Sequence, residues 1–372
     1  MVSQYNSKGQ VVTDSYVVNT GEKERTATAV FNINIKDVGK NGNLAYTIER
    51  KITQKESGTA INEDNYYKNG EKVELNKATA TGITPFNIVI LGDGYQKRDL
   101  FKGGKFEQRA RSAMNNFFGV EPYATFKDRF NVYMVAYESV DAGTDIKNGD
   151  ILKTDKNTYF DSYCTEGNTA AYVNGTDKVT NAVKNAVGSS DAVYYRSIAI
   201  LLINTDMDSG STGYPFQNTK EGFVNGYASF AIAALAADNM YFGRLVRHEA
   251  GGHAFGRLAD EYYTNGTTAT SGIKSNLSEW HSKGFYWNVT ATYGTYYMFP
   301  PGSGYSGVGF IEGGWGYNYG IYRPTEDGMM QGSTGKFNAP CRHAIYHRII
   351  TESEGVGAYE FWKFAQYDQN NR

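Results

Sequence analysis

Arg247-His248-Glu249-Ala250-Gly251-Gly252-His253-Ala254-Phe255-Gly256-Arg257-Leu258-Ala259-Asp260-Glu261-Tyr262 is the stretch from which the rest of the chain is best read. All five histidines of the chain lie at or beyond residue 248: His248, His253, His281, His343 and His347. Two imidazoles on one helix with a glutamate beside the first are the ingredients of a catalytic zinc site, in which the His pair binds the ion and the Glu acts as general base. That arrangement needs the two His at i and i+4. Here they stand at i and i+5, which on a regular α-helix leaves them roughly 140° apart. A π-type bulge absorbs one residue and restores a common facing, and Gly251-Gly252 sits where an irregular turn costs least in steric terms. An i+5 bulge is therefore expected between Glu249 and His253.

The third ligand should come shortly afterwards. Gly256 lets the chain leave the helix and fold back, as in the metzincin pattern, whose third ligand would fall on Ala259. Alanine cannot bind a metal. Asp260, one residue later, offers a hard oxygen and is the expected third ligand, with Glu261 as its rival; the unused carboxylate would steady a ligating ring. His343 and His347 have i,i+4 spacing but no adjacent Glu, and Arg342 and Arg348 flank them, so a solvated helix face is expected. His281, beside Trp280, reads as a surface or cleft residue.

Upstream, Phe86-Asn87-Ile88-Val89-Ile90-Leu91 is an apolar run ended by Gly92-Asp93-Gly94-Tyr95, the mark of a buried strand feeding a loop. A helical stretch over roughly Arg98 to Phe118 comes next. Strands are expected at Phe130–Tyr137, Ser197–Asn204 and Tyr227–Ile232, with Asp238 as N-cap of the next helix. Strands alternating with helices indicate a mixed α/β domain over residues 83–372. Residues 1–82 differ in character. Phe31, Ile33 and Ile35 alternate with polar residues, as do Tyr46, Ile48 and Ile52, and Gly39–Gly42 marks a turn between them. An accessory antiparallel β-sandwich is expected there, making the whole chain α+β. No internal repeat is found.

Composition narrows the function. Lys+Arg number 37 and Asp+Glu 39, a net charge of −2 that offers no footprint for nucleic acid. No apolar run reaches the ~18–20 residues of a membrane span. Two cysteines, Cys164 and Cys341, exclude a Cys-rich metal site and a disulfide scaffold, and they are expected to be buried and unpaired.

Nearly the whole chain resembles the IgA peptidase family of bacterial zinc metallopeptidases. The resemblance rests on Asn87–Tyr95, on Phe130–Tyr133 and Thr158-Tyr159-Phe160, and on His253–Tyr262. Tyr322-Arg323-Pro324 through Met329-Met330 and Asn338–Arg342 look like the family's final segment. It implies Zn2+ held by His248, His253 and Asp260, Glu249 as base, and a Met-turn at Met330, or else Met329, beneath the metal. The inserted glycine departs from the spacing of many members. The family name reflects one antibody substrate and is not transferred. The resemblance implies an endopeptidase that hydrolyses protein or peptide substrates, and the chain is expected to be monomeric, without nucleic acid or transmembrane segment. A secreted or cell-envelope setting, with an export signal removed, is implied by the resemblance and the Tyr/Asn/Gly-rich loops. The edge strand near Tyr227–Ile232 would hold the substrate, and Tyr262, Tyr263 or Tyr317 would stabilise the oxyanion. Two rival readings remain open here. One is a non-catalytic binding protein with a degenerate peptidase fold, supported by the displaced histidine; the other is a zinc hydrolase of amide bonds outside peptides.

Overall fold

A computed structural model describes residues 63–372 except 168, 216–229, 294–298, 300–304, 306 and 333–334, together with the backbone of three earlier strands. The chain divides into two compact units, Met1–Tyr66 and Tyr67–Arg372. In the first, β1 (Tyr16–Asn19), β2 (Glu24–Val38) and β3 (Leu44–Glu56) form one antiparallel sheet. Ile33 pairs with Ile48 and Ile35 with Tyr46, so both alternating segments are strands. The remainder of the expected sandwich falls on residues outside those described.

The larger unit is mixed α/β. Its central six-stranded sheet has the order β12 (Gly210–Gly213), β13 (Ala231–Ala236), β11 (Ser197–Ile203), β5 (Phe86–Asp93), β6 (Phe130–Val135), β4 (Lys72–Asn76). β4 (Lys72–Asn76), which the sequence placed with the first domain, is one antiparallel edge of this sheet, paired with β6. β5 (Phe86–Asp93) and β6 (Phe130–Val135) run parallel on either side of α1 (Lys105–Phe117) in the chain. Gly103-Gly104 holds α1 back to Lys105: Gly103 lies at φ 79°, and Gly104 is the N-cap. A second, four-stranded sheet comes next, made of β7 (Asp145–Asn148), β8 (Ile151–Thr154), β9 (Ser162–Thr165) and β10 (Ala171–Val173). α2 (Thr176–Val187) and the short α3 (Asp191–Tyr194) then return the chain to β11 (Ser197–Ile203). β12 (Gly210–Gly213) is the other antiparallel edge, and β13 (Ala231–Ala236) lies between it and β11.

β5 is buried along its whole length because it is covered on both faces, and alternation assigns its side chains to two cores. Ile88 and Ile90 join Ile198, Ile200 and Leu202 against α1 on one side. Val89 and Leu91 join Ala199 and Leu201 against α2 on the other. The strand ends in a buried polar hub. Asp93 accepts hydrogen bonds from the Thr158 hydroxyl (2.8 Å) and the Phe160 and Ser162 amides (2.8 and 3.0 Å). Two segments far apart in the sequence, Asn87–Tyr95 and Thr158–Phe160, are thus one structural feature. Gly94, at φ 74°, passes so near Gly143 that a Cβ would stand 1.9 Å from its carbonyl oxygen.

After β13, α4 (Phe242–Leu245) continues directly into the helix that carries the histidines. Asp238 does not cap it; Tyr241 holds that position, and the Asp238 carboxylate instead pairs with Lys105 (2.5 Å) and Arg109 (3.0 Å) of α1. The C-terminal part contains β14 (Tyr263–Thr268), α5 (Ser271–Ser282), β15 (Ile311–Gly314) and β16 (Gly316–Arg323). α6 (Ala339–Glu354) and α7 (Phe361–Asn371) complete it. Pro340 and the Asn338 side chain, which accepts from the Cys341 amide, start α6 in the expected way.

Candidate metal centre

Val246–Phe255 is a π-helix throughout, and Gly256 N–H still donates to the Gly251 carbonyl five residues back (2.8 Å). The wide turn is more extensive than the single bulge expected, and its effect is the one required: five residues now bring two side chains round together. His248 and His253 stand with ring centroids 4.8 Å apart and planes at 83°. Close packing explains the glycines between them better than conformational freedom does. A Cβ on Gly252 would meet the Met330 Sδ at 2.2 Å, and one on Gly251 would stand 3.2 Å from the Tyr123 ring, whose hydroxyl donates to the Gly251 carbonyl (2.5 Å). Met330 therefore lies directly against the helix that carries the histidines, on the turn Met329–Gln331.

The chain leaves this helix through Arg257, not Gly256. Gly256 keeps a right-handed helical backbone (φ −68°, ψ −17°), and Arg257 takes the left-handed conformation at φ 53°. Gly256 is needed for another reason, since a Cβ there would stand 2.6 Å from the Gly252 carbonyl oxygen. A left-handed arginine costs about 1–2 kcal/mol. It is held by a buried ion pair with Glu352 of α6 (2.8 Å) and by its carbonyl, which accepts from the Tyr286 amide (2.7 Å). This turn returns the chain so that Asp260 faces the two rings.

Nε2 of His248 and Nε2 of His253 each lie 3.1 Å from the same oxygen, Asp260 Oδ1. The opposite nitrogens meet carbonyl oxygens: Nδ1 of His248 lies 3.0 Å from Met329 O, and Nδ1 of His253 lies 2.7 Å from Leu258 O. A carbonyl can only accept, so each Nδ1 must carry a proton. Neutral rings then present both Nε2 lone pairs to a carboxylate, an arrangement that requires a cation or extra protons between them. Burial disfavours charge on His253, yet Asp260 raises its pKa to about 9. Burial likewise opposes ionisation of Asp260, and the two rings nonetheless hold its carboxyl far below the usual range. The donor set of two imidazoles and one carboxylate, with the imidazole tautomers fixed by outer hydrogen bonds, fits a divalent ion such as zinc. Among the described residues it is the one group of three or more His, Cys, Asp or Glu with ligand atoms within 4.8 Å of one another.

Glu261 points elsewhere. Its carboxylate is fully buried and accepts from Asn288 Nδ2 (3.0 Å), Asn338 Nδ2 (2.8 Å) and the Cys341 thiol (3.2 Å), so it neither joins the donor set nor steadies a ligating ring. Its role is to tie the turn after Asp260 to the start of α6, and its amide donates to the Met330 carbonyl (2.9 Å).

Glu249 lines the same cleft of about 810 Å3 as the two histidines and Asp260. The Thr212 hydroxyl lies 2.9 Å from Glu249 Oε2 and 3.0 Å from its carbonyl oxygen. Of the tyrosines expected near the oxyanion, Tyr262 lines the cleft and hydrogen-bonds Asp260. Tyr263 packs beside Gly313 under the Arg323 guanidinium, and Tyr317 packs beside a small core around Ile321. Tyr286 and Tyr214 also line the cleft, and the Tyr214 hydroxyl donates to the His253 carbonyl. Nothing in the local sequence marks Thr212, Tyr214 or Tyr286; each is brought in by a distant element. The sheet edge beside the helix is β12; of the segment expected to hold the substrate, residues 227–229 lie outside those described, and Ala231-Ile232 open β13, an interior strand.

The second histidine pair lies on a buried face of α6, not a solvated one. His343 Nε2 contacts the Tyr359 hydroxyl (2.5 Å), and burial, with His347 adding to it, pushes the His343 pKa down to about 3. Arg342 and Arg348, which suggested solvation, are paired inward with Asp368 and Glu352. His281 is part-buried, with Nε2 3.0 Å from the Tyr286 carbonyl. Both cysteines are buried and free, as expected.

No helix of the described residues is long and apolar enough to cross a membrane. The family model for IgA Peptidase M64 matches residues 73–291, which is more than half of the chain and includes the whole donor set. No curated protein matches the chain.

Proposed function

The chain belongs to the IgA Peptidase M64 family, and from that premise we propose that it is a zinc-dependent endopeptidase with His248, His253 and Asp260 as ligands and Glu249 as general base. One observation carries this: two imidazole Nε2 atoms, each with its Nδ1 committed to a carbonyl, converge at 3.1 Å on one carboxylate oxygen. The non-catalytic reading had its best support in a displaced His253, and the π-helix brings the two rings together instead.

Zinc bound there would supply Lewis acidity, lowering the pKa of water towards about 7 and polarising the scissile carbonyl. The protein supplies the rest. Glu249 Oε2 is engaged by Thr212, which leaves Oε1 to take a proton from the attacking water. As the water oxygen bonds to the carbonyl carbon and the C–N bond breaks, that proton passes to the leaving amine, a relay worth roughly 10²–10⁴-fold. Tyr286 stands in the cleft as a donor for the oxygen that becomes negative, whereas the Tyr262 hydroxyl is spent on Asp260. The β12 edge offers main-chain groups for an extended peptide. We further propose that the enzyme acts as a monomer on protein outside the cytoplasm.

The decisive experiment replaces Glu249 by Gln. The variant should bind zinc with wild-type stoichiometry and lose hydrolysis of a denatured protein substrate by at least about 100-fold. Undiminished hydrolysis would remove Glu249 from the role.

A further inference from the structure

Thr212 is bound to the proposed base by two contacts rather than one. A hydroxyl has a single proton to donate, and both acceptors within reach of it, Oε2 at 2.9 Å and the main-chain oxygen at 3.0 Å, belong to Glu249. Glu249 itself is 8% exposed, so its carboxylate has little water to orient it. The Thr212 backbone is equally constrained. β12 pairs antiparallel with β13, Thr212 opposite Ala233, and the Ala236 amide donates to the Ser209 carbonyl (2.9 Å). In an antiparallel ladder, alternate residues turn their N–H and C=O to the partner strand. Ser209 and Ser211 thus face β13, and the main-chain groups of Gly210 and Thr212 point away from it. The Gly210 amide is taken by the Thr169 carbonyl (2.8 Å). Thr212 is the next position outward, on the strand that borders the cleft.

We propose that Thr212 is the positioning residue of this site: its hydroxyl holds the Glu249 carboxylate in one orientation with Oε1 open to the proton, while its main chain faces the peptide that lies along β12. One residue then sets both the base and the edge against which the scissile bond is registered. This rests on the endopeptidase reading with Glu249 as base.

The test compares Thr212→Val, which keeps the shape and loses the hydroxyl, with Thr212→Ser, which keeps the hydroxyl and loses a methyl. Thr212→Val should lower kcat about 10- to 100-fold, the cost of a misplaced catalytic group, with KM changed less than about twofold because the main chain is retained. Thr212→Ser should recover most of the rate. A crystal structure of zinc-loaded Thr212→Val should show Glu249 in more than one orientation, with His248, His253 and Asp260 unmoved and zinc at one per chain. Wild-type kcat in Thr212→Val together with a single unmoved Glu249 would overturn the proposal, as would a Ser variant as slow as the Val variant. If the wild-type protein itself cleaves nothing, the endopeptidase reading fails on its own, and the Glu249 orientation in the Val crystals still decides the positioning claim. Should the Val variant not fold, Thr212→Ala read by the same crystallographic criterion takes its place.

Discussion

Glu261→Gln separates the two adjacent carboxylates by their physics. The substitution preserves shape and replaces one oxygen by an NH2 group, so its cost depends on whether the neighbours can turn to meet a donor. They cannot. Asn288 is fixed because its Oδ1 accepts from the Ala259 amide (2.8 Å) and its Nδ2 also donates to the Ala259 carbonyl (2.8 Å). Asn338 is fixed because its Oδ1 caps α6 at the Cys341 amide (3.1 Å) and its Nδ2 also donates to the Thr325 hydroxyl (2.9 Å). The glutamine amide therefore faces a donor in either orientation. The cheaper one sets NH2 against Asn338 and forfeits a hydrogen bond to a charged acceptor, about 1.5–3 kcal/mol, leaving a buried donor unmet for about 1–3 more. Burial raises the Glu261 pKa, so removing the charge returns part of this, and a net loss of about 2–3 kcal/mol is expected. At about 2–4 °C per kcal/mol for a domain near this size, calorimetry should record a Tm lowered by roughly 4–12 °C. Zinc should remain at one per chain in the folded variant. Loss of zinc with an unchanged Tm would make Glu261 a ligand, and no change in either would show that the asparagine network carries no weight.

Gly252→Ala should destabilise the protein by about 1–2 kcal/mol in urea unfolding, because overpacking against the buried Met330 outweighs the helix-propensity gain. Adding Met330→Ala should show positive coupling above about 0.5 kcal/mol in a double-mutant cycle; strict additivity would contradict the contact. Glu352→Gln removes the carboxylate that pairs with Arg257 (2.8 Å) and Arg348 (3.2 Å), both buried. About 3–5 kcal/mol of stability should be lost, and zinc affinity with it, since Arg257 turns the chain towards Asp260; unaltered zinc titration would refute that linkage. In chelator-treated protein, His343 and His347 stay neutral with pKa values lowered to about 3 and 4, chiefly by burial. Their contribution is complete above the unfolded value near 6.5 and is lost as pH falls towards the folded values, because the unfolded chain then binds more protons. Unfolding free energy should drop by about 2–3 kcal/mol from pH 6.5 to 5, and a flat profile over that range would contradict their burial.

The elements legible in the sequence were those whose cause is local. Phe86–Leu91 and Ser197–Ile203 announce themselves as doubly buried strands because every residue must be tolerated inside. His248, His253 and Asp260 lie within thirteen residues of one another, so one helix and one turn bring them together. What escaped was set by distant partners. The π-helix runs the full Val246–Phe255, and its two glycines leave room for Met330 and Tyr123, which come from distant parts of the chain. Arg257, not the glycine before it, takes the left-handed turn because Glu352, on the far side of the chain, holds its guanidinium. Asp238 looks like a helix cap until the cations of α1 are in place. His343 and His347 looked solvated because the arginines beside them seemed to need water, and Asp368 and Glu352 meet that need instead. Thr212 reaches Glu249 across thirty-seven residues, with no periodicity to betray it.

Diffraction from crystals grown with zinc, recorded on both sides of its absorption edge, addresses the metal centre itself. One anomalous peak is expected, about 2.0–2.2 Å from His248 Nε2, His253 Nε2 and an Asp260 carboxylate oxygen. A peak bonded to any other residues, or none where these three side chains meet, would contradict the account.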